Sequence, residues 1–200
     1  YLTLLLRTPV YSAPELQQNN KSCSSRDQYF QDSSFEATVI FLEVLSLAHM
    51  KLLILNYSMN ESSLLFSHQR VVAQRLSEEF EETHVITADE ELGAKTQGLY
   101  VTSTGWKPNK RLKSVIEFYK ATVPLILKNR RSLVIFSHMT EVQSFLIAPW
   151  CRIFQIPHYL WYAHASRSFF LYGSYPFLNG IVTSTQGSCP LKGKRVYPIG

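Results

Sequence analysis

From residue 50 onward, two hydrophobic patterns alternate along the chain. Residues 51–57, KLLILNY, form an unbroken apolar run, the mark of a strand buried on both faces. Residues 63–80 carry Leu65, Val72, Leu76 and Phe80 at spacings near one helical turn, which predicts a helix with that face inward. HVITA (84–88) and LYVTS (99–103) read as a second and a third strand. Residues 110–131 predict a helix with Leu112, Val115, Ile116, Tyr119 and Val123 inward and lysines outward. Pro124 is expected to kink that helix or to mark its restart. LVIFSH (133–138) predicts a fourth strand, residues 141–154 a helix, and HYLWYA (158–163) a fifth strand with a short aromatic helix after it. GIVTST (180–185) and RVYPIG (195–200) complete the series. Strands alternating with helical stretches imply right-handed βαβ crossovers. The expected fold over residues 50–200 is therefore α/β: a Rossmann-like, doubly wound, mostly parallel sheet.

Residues 1–49 show no such order. SAPELQQNNKSCSSRDQYFQDSS is polar and rich in breakers, so it reads as loop or disorder, and FEATVIFLEVLSLA suits a helix as well as a strand. The first residue is Tyr1 and the first methionine is Met50. One expectation is that Met50 is the native start and residues 1–49 are an upstream extension outside the native product. LTLLLR is too short for the apolar region of a signal peptide. Residues 38–55 are fairly apolar, but Glu43, His49 and Lys51 interrupt them, so a membrane span is not expected.

Composition sharpens the picture in two ways. With 200 residues, 46% hydrophobic and 13% aromatic, the chain has the material for a substantial core. The formal charge of +5 is unevenly spread: residues 1–49 are net −2, whereas residues 101–200 hold thirteen Lys and Arg against Glu117 and Glu141. A basic half suits an anionic partner (a nucleotide phosphate, an acidic membrane surface or nucleic acid) and equally suits a solvated basic face. Cys23, Cys151 and Cys189 are odd in number, widely spaced and without a C-x-x-C, which argues against a disulfide framework or a zinc site and for a reducing cytoplasm.

In a doubly wound sheet ligands sit at the carboxyl ends of the strands, so those ends are where candidate chemistry is sought. The first strand runs into NYSMNESS (56–63), whose Tyr57, Ser58, Asn60, Ser62 and Ser63 offer donors at a helix start; an ordinary Ser/Asn cap accounts for the same residues. The fourth ends in FSHMTEV, with His138 and Glu141 at its tip and Thr140 as the expected N-cap. The fifth ends in WYAHASRS. His164 stands there as a group able to exchange a proton with a sugar hydroxyl or polarise it, with Ser166 and Arg167 beside it. Arg167 suits a phosphate or carboxylate. The VTSTQGS hydroxyls after the sixth strand suit a ligand or plain turn chemistry. No G-x-G-x-x-G, P-loop, H-E-x-x-H or G-x-S-x-G occurs, and no metal-ligand spacing is present.

MKLLILNY, LLFSHQRVVAQRLSEEFEETHVIT, SLVIFSH, IPHYLWYAH and GIVTSTQGS…KGKRVYPIG, taken in that order, resemble the amino-terminal half of a GT-B-fold glycosyltransferase, of the retaining family-4 kind that uses nucleotide sugars. The resemblance implies two Rossmann-like domains facing a cleft, the first holding mainly the acceptor and the second the nucleotide sugar, with an E-x7-E pair of glutamates. In the family the tail continues into G-[VI]-D, so the expectation is a piece cut before the donor-binding domain and inactive by itself. A histidine after the fifth strand lies near the reacting sugar in the family and is similar to His164. The loop after the first strand often carries a glycine pair near the diphosphate; residues 56–63 have none.

The implied function is transfer of a sugar, with retention, from a nucleotide-sugar donor to a glycan or lipid-linked acceptor, as in cell-envelope polysaccharide assembly. The donor is a co-substrate, and no cofactor or metal is implied. The rival reading is a Rossmann-like module that binds a ligand or partner without catalysis. Nucleic acid is not an expected partner, since no motif accompanies the charge. Lys110, Arg111, Lys113, Lys120, Lys128, Arg130 and Arg131 suggest peripheral contact with anionic lipid at the inner face of the cell membrane, or a solvated helix face.

Overall fold

The computed structural model describes residues 49–60, 66–89 and 98–199. The expectations for residues 1–48, for Leu65 and for Ser62 and Ser63 lie outside the described residues.

Within them the chain runs β1 (Lys51–Asn56), α1 (Ser67–Ser77), β2 (Glu82–Thr87), β3 (Leu99–Ser103), α2 (Arg111–Asn129), β4 (Leu133–His138), α3 (Glu141–Ile153), β5 (His158–Trp161), α4 (Phe169–Ser174), β6 (Gly180–Thr183) and β7 (Val196–Pro198). Single turns of 3-10 helix precede α2 and follow α4. The strands form one sheet in the order β3-β2-β1-β4-β5-β6-β7, every neighbouring pair parallel. This is the expected α/β, Rossmann-like sheet.

Periodicity explains the strands. Leu53 and Leu55 of β1 pack with Leu133 and Ile135 of β4 against Phe118 and Ile126 of α2 and Ile147 and Cys151 of α3. Leu52 and Ile54 alternate to the opposite face and are buried as well, so β1 is covered on both sides. A second cluster joins Ala148 of α3, Leu160, Leu171 of α4 and Ile181. Among the described residues no helix is long and apolar enough to cross a membrane.

The helices correct the expected inward faces. In α2 the buried row is Ser114, Phe118, Thr122, Ile126 and Asn129, whereas Leu112 is 76% exposed and Ile116 also faces solvent. Polar residues enter that row because each finds a local partner. The Thr122 hydroxyl donates to the Phe118 carbonyl at 2.8 Å, the Asn129 amide donates to the Leu125 carbonyl at 3.1 Å, and the Ser114 hydroxyl accepts from the Lys107 N–H at 3.0 Å. Pro124 sits on the exposed side, and α2 passes through it as one element. In α1 the buried row is Gln69, Arg70, Ala73 and Leu76, with Val72 only half buried. α3 ends in a Schellman turn with Gln155 in the left-handed position (φ 57°), where glycine is the usual signal. The Ile156 N–H reaches the Cys151 carbonyl at 2.8 Å.

His158, at the start of β5, is 0% exposed. Its Nε2 lies 2.8 Å from the Ser137 hydroxyl and 3.3 Å from that of Ser144, and burial lowers its pKa to about 3. The folded value lies below the unfolded one near 6.5, so the unfolded chain binds the extra proton first. The stability from neutral His158 is complete above about pH 6.5 and drains as pH falls toward 3, at up to about 1.4 kcal/mol per pH unit. We therefore expect the unfolding free energy, measured by denaturant titration, to fall steeply between pH 6 and pH 4. A His158→Asn variant should be less stable at pH 7 and show a shallower slope in that window. An unchanged slope would mean that His158 is not buried neutral.

Candidate functional site

Crossovers leave β1 toward β2 and leave β4 toward β5, so the sheet has its switch point between β1 and β4. A crevice opens beyond the carboxyl ends of such a pair. Backbone groups there have left the sheet ladder and need other partners. Gln69, 1% exposed on α1, supplies three of them. Its carbonyl accepts from the Tyr57 N–H (2.9 Å) and the Ser58 N–H (3.2 Å), and its amide donates to the His138 carbonyl (3.2 Å). Thr140 is the residue preceding α3, as expected of an N-cap, but its hydroxyl donates to the Leu55 carbonyl at 3.1 Å instead of capping the helix. Met139, between them, has a positive φ of 61°. Its N–H donates to the Trp161 carbonyl at 3.0 Å, which ties β4 to β5.

Around this frame the candidates from the sequence occupy different environments. Tyr57 is partly buried, and burial first, then the Glu141 charge, raises its phenol pKa. Tyr162, on the loop after β5, is raised by burial above all and again by Glu141; its hydroxyl donates to the Ser166 carbonyl at 2.9 Å and lies 3.2 Å from the Ser166 hydroxyl. The Glu141 carboxylate therefore acts electrostatically on phenols from both flanking loops. It also opens α3, where the helix dipole favours an anion. His164 is exposed, with its ring edge-on to Tyr162 at 5.8 Å between centroids. β5 ends at Trp161, so His164 stands in the loop beyond the strand and not at its last position. Ser166 and Arg167 are exposed on the same loop, and Ser168 caps α4 by accepting the Phe170 N–H at 3.2 Å.

His138 differs from an exposed helix-start histidine. It is 3% exposed, flanked by the rings of His68, Phe136 and Trp161, and burial followed by the His68 charge lowers its pKa to about 4. It is uncharged at neutral pH. Ser58 is occupied with its own loop: its hydroxyl donates to Asp89 (2.9 Å) and accepts from the Asn60 N–H (3.0 Å). Asn60 is half buried beside it.

The structure thus joins His164 and Ser166 through Tyr162, and Tyr57 and Tyr162 both feel the Glu141 charge. Arg167 has no such link to the group. Sequence reasoning missed Gln69, Tyr162 and Asn56. Gln69 was visible as a polar residue within the apolar row of α1. Asn56 and His138 follow each other in register beyond the Leu55–Ser137 pair, and Asn56 Oδ1 and His138 Nδ1 are both buried without a hydrogen-bond partner. So are Gln143 Oε1, in the first turn of α3, and Thr183 Oγ1, at the tip of β6. Buried polar atoms without a side-chain or backbone partner also occur at the amino ends of strands, at Thr83 Oγ1 and His158 Nδ1. Two hollows flank the switch point, one of about 340 Å³ beyond β3 bordered by Lys107, Lys110 and Lys113, and one of about 600 Å³ beyond β6. Cys151 and Cys189 are buried free thiols, and among the described residues no three His, Cys, Asp or Glu side chains are grouped to hold a metal.

No family model matches the chain, and no curated protein matches it. Among solved structures it is similar to Phytolacca americana UGT2 complexed with UDP-2fluoro-glucose and pterostilbene, with a TM-score of 0.44 and 9% identity. The match covers 75% of this chain and 54% of that one, so the chain spans about half the length of that protein.

The frame itself is testable. Gln69→Leu keeps the volume but leaves two N–H groups and one carbonyl unpaired at the switch point. It should destabilise the protein by about 1–3 kcal/mol in denaturant titration. Ser58→Ala, which leaves the Gln69 bonds in place, should cost less. Equal stability of Gln69→Leu and the parent would show that the amide does not join the two strand tips.

Proposed function

We propose that this chain is the acceptor-side, amino-terminal Rossmann-like part of a GT-B glycosyltransferase of the retaining, family-4-like kind. It would act on a nucleotide-sugar donor and a glycan or lipid-linked acceptor. The resemblance of the strand and loop motifs supports the class. The observation that carries the reading is the exposed His164 set edge-on to Tyr162, whose hydroxyl holds Ser166, in the loop beyond β5 at the carboxyl edge of the sheet.

That arrangement suits sugar chemistry. A glycosyl transfer passes through an oxocarbenium-like state while negative charge builds on the leaving diphosphate, and an acceptor hydroxyl must lose its proton. The His164 imidazole is free to exchange that proton or to polarise a sugar hydroxyl. Glu141 offers an acceptor and Tyr57 a donor to sugar hydroxyls, while Tyr162 spends its own proton on the Ser166 carbonyl and so fixes the loop that carries His164. Arg167 and Ser166 border the same loop and suit an anionic or hydroxylated group. Stabilisation of the leaving diphosphate belongs to the donor-binding domain that the resemblance implies.

The test uses the protein with its donor-binding domain. Labelled nucleotide sugars are supplied with candidate acceptors, and NMR reads the anomeric configuration of the product. His164→Ala should lower turnover by roughly tenfold or more, on the scale of an acid–base group, with an unchanged unfolding midpoint. Full turnover in that variant would remove His164 from the chemistry. An inverted product would overturn retention, and tight ligand binding without turnover would favour the binding-module reading.

Peripheral membrane contact is part of the same proposal. Lys110, Arg111, Lys113, Lys120, Lys128, Arg130 and Arg131 are all exposed along α2 and the turns on either side of it, with Leu112, Ile116 and Leu127 exposed among them. Co-sedimentation with liposomes should rise with anionic lipid content and fall with salt. Binding that ignores lipid charge would count against it.

A further inference from the structure

The β6–β7 crossover is made of loop. Parallel neighbours usually connect through a helix, but residues 184–195 contain none. The cleft of about 600 Å³ lies there, at the carboxyl end of β6. That volume is in the range that seats small organic ligands. Thr183, Gln186 and Lys192 supply its polar lining, and Pro190, Leu191 and Pro198 its apolar walls.

Thr183 is the telling residue. It is 1% exposed and borders the cleft, yet its Oγ1 has no hydrogen-bond partner. Its own carbonyl already accepts the Ile199 N–H at 3.1 Å. The hydroxyls next along the chain are occupied with one another: Ser184 donates to Ser188 at 2.9 Å, and Thr185 lies 2.6 Å from the same oxygen. A buried hydroxyl without a partner costs stability, so the fold gains nothing from this one. A valine of the same shape would serve packing as well or better.

The loop around it is built to hold its form. Arg195 donates to the Leu178 carbonyl at 2.6 Å and lies over the Tyr175 ring at 4.6 Å, which keeps its charge out of the cleft. Gly193, at φ 151°, lies so close to Tyr175 that a Cβ would meet the phenol oxygen at 2.9 Å. Lys192 is exposed at the cleft, and no described carboxylate pairs with it.

We propose that the cleft beyond β6 binds an acidic sugar, a polyhydroxylated ring bearing a carboxylate or phosphate. Thr183 Oγ1 takes a ring hydroxyl, the proline and leucine walls cover the C–H face, Gln186 pairs with a further hydroxyl and Lys192 meets the anion. The binding claim stands on this geometry alone; assigning the cleft to the acceptor side of a transfer reaction rests on the function proposed above.

Calorimetric titration of the full chain with glucuronate, glucose 1-phosphate and neutral glucose tests it, with no turnover required. The two anionic probes should bind saturably and at least tenfold more tightly than glucose, and their ratio tells whether the site prefers carboxylate or phosphate. Thr183→Val should weaken both anionic probes about tenfold while leaving the unfolding midpoint equal or higher. Lys192→Gln, an exposed change that leaves the fold intact, should remove the preference for the anionic probes. Absence of saturable binding by all three, unchanged affinities in both variants, or a marked loss of stability in Thr183→Val would each overturn the proposal. An active transferase with no probe binding would leave the proposed function standing and remove this site. Probe binding without turnover would do the reverse.

Discussion

A strand at the centre of a parallel sheet has two neighbours to bond and two faces to bury, and β1 meets both demands at once. It is registered against β2 and β4 along nearly its whole length, with Leu52 through Leu55 withdrawn from water. Those demands stop abruptly at its carboxyl tip, where the chain turns toward β2 while β4 turns the other way. The backbone groups released there lie too deep for water to satisfy them all, so other groups must. Gln69 and Thr140 do so, and in doing so they hold the mouths of two loops at a fixed separation. The placement of Tyr57, Glu141 and the β5 loop rests on that small set of bonds.

The electrostatics at this edge follow from burial more than from net charge. Although residues 101–200 are strongly basic, two buried histidines are held neutral by burial: His138 at this edge and His158 at the start of β5. Glu141 opens α3, and phenols from both sides respond to its charge. His164 and His68, the latter packed against His138, are the imidazoles here that meet solvent. An edge so arranged contains hydroxyls, the Glu141 and Asp89 carboxylates and the exposed imidazoles of His68 and His164, a set suited to handling other hydroxyls.

Much of the fold was legible in the chain. The central strands β1 and β4 appeared as short apolar runs, because a strand buried on both faces leaves few polar positions to confuse the pattern. The helix faces were less legible. In α2 the alternation of leucines and lysines pointed to Leu112 and Ile116, yet Ser114 and Thr122 went inward. A hydroxyl that bonds its own helix backbone is cheap to bury, so hydropathy misjudges it. At the site, position along the chain was enough to bring His164, His138, Glu141 and Tyr57 to the ligand edge. It could not foresee that His138 would be enclosed or that Ser58 would be tied to Asp89.

By itself the sequence determined, over the described residues, the number, the type and the chain order of the elements, and with them a parallel sheet. These follow from local periodicity and from the handedness of crossovers, which neighbouring residues carry. Only the tertiary structure decided the order β3-β2-β1-β4-β5-β6-β7, the joining of Gln69 to a carbonyl sixty-nine residues away, and the isolation of the Thr183 hydroxyl at the helix-free crossover. Whether a polar atom finds a partner depends on what distant segments bring to it, and no local pattern contains that information.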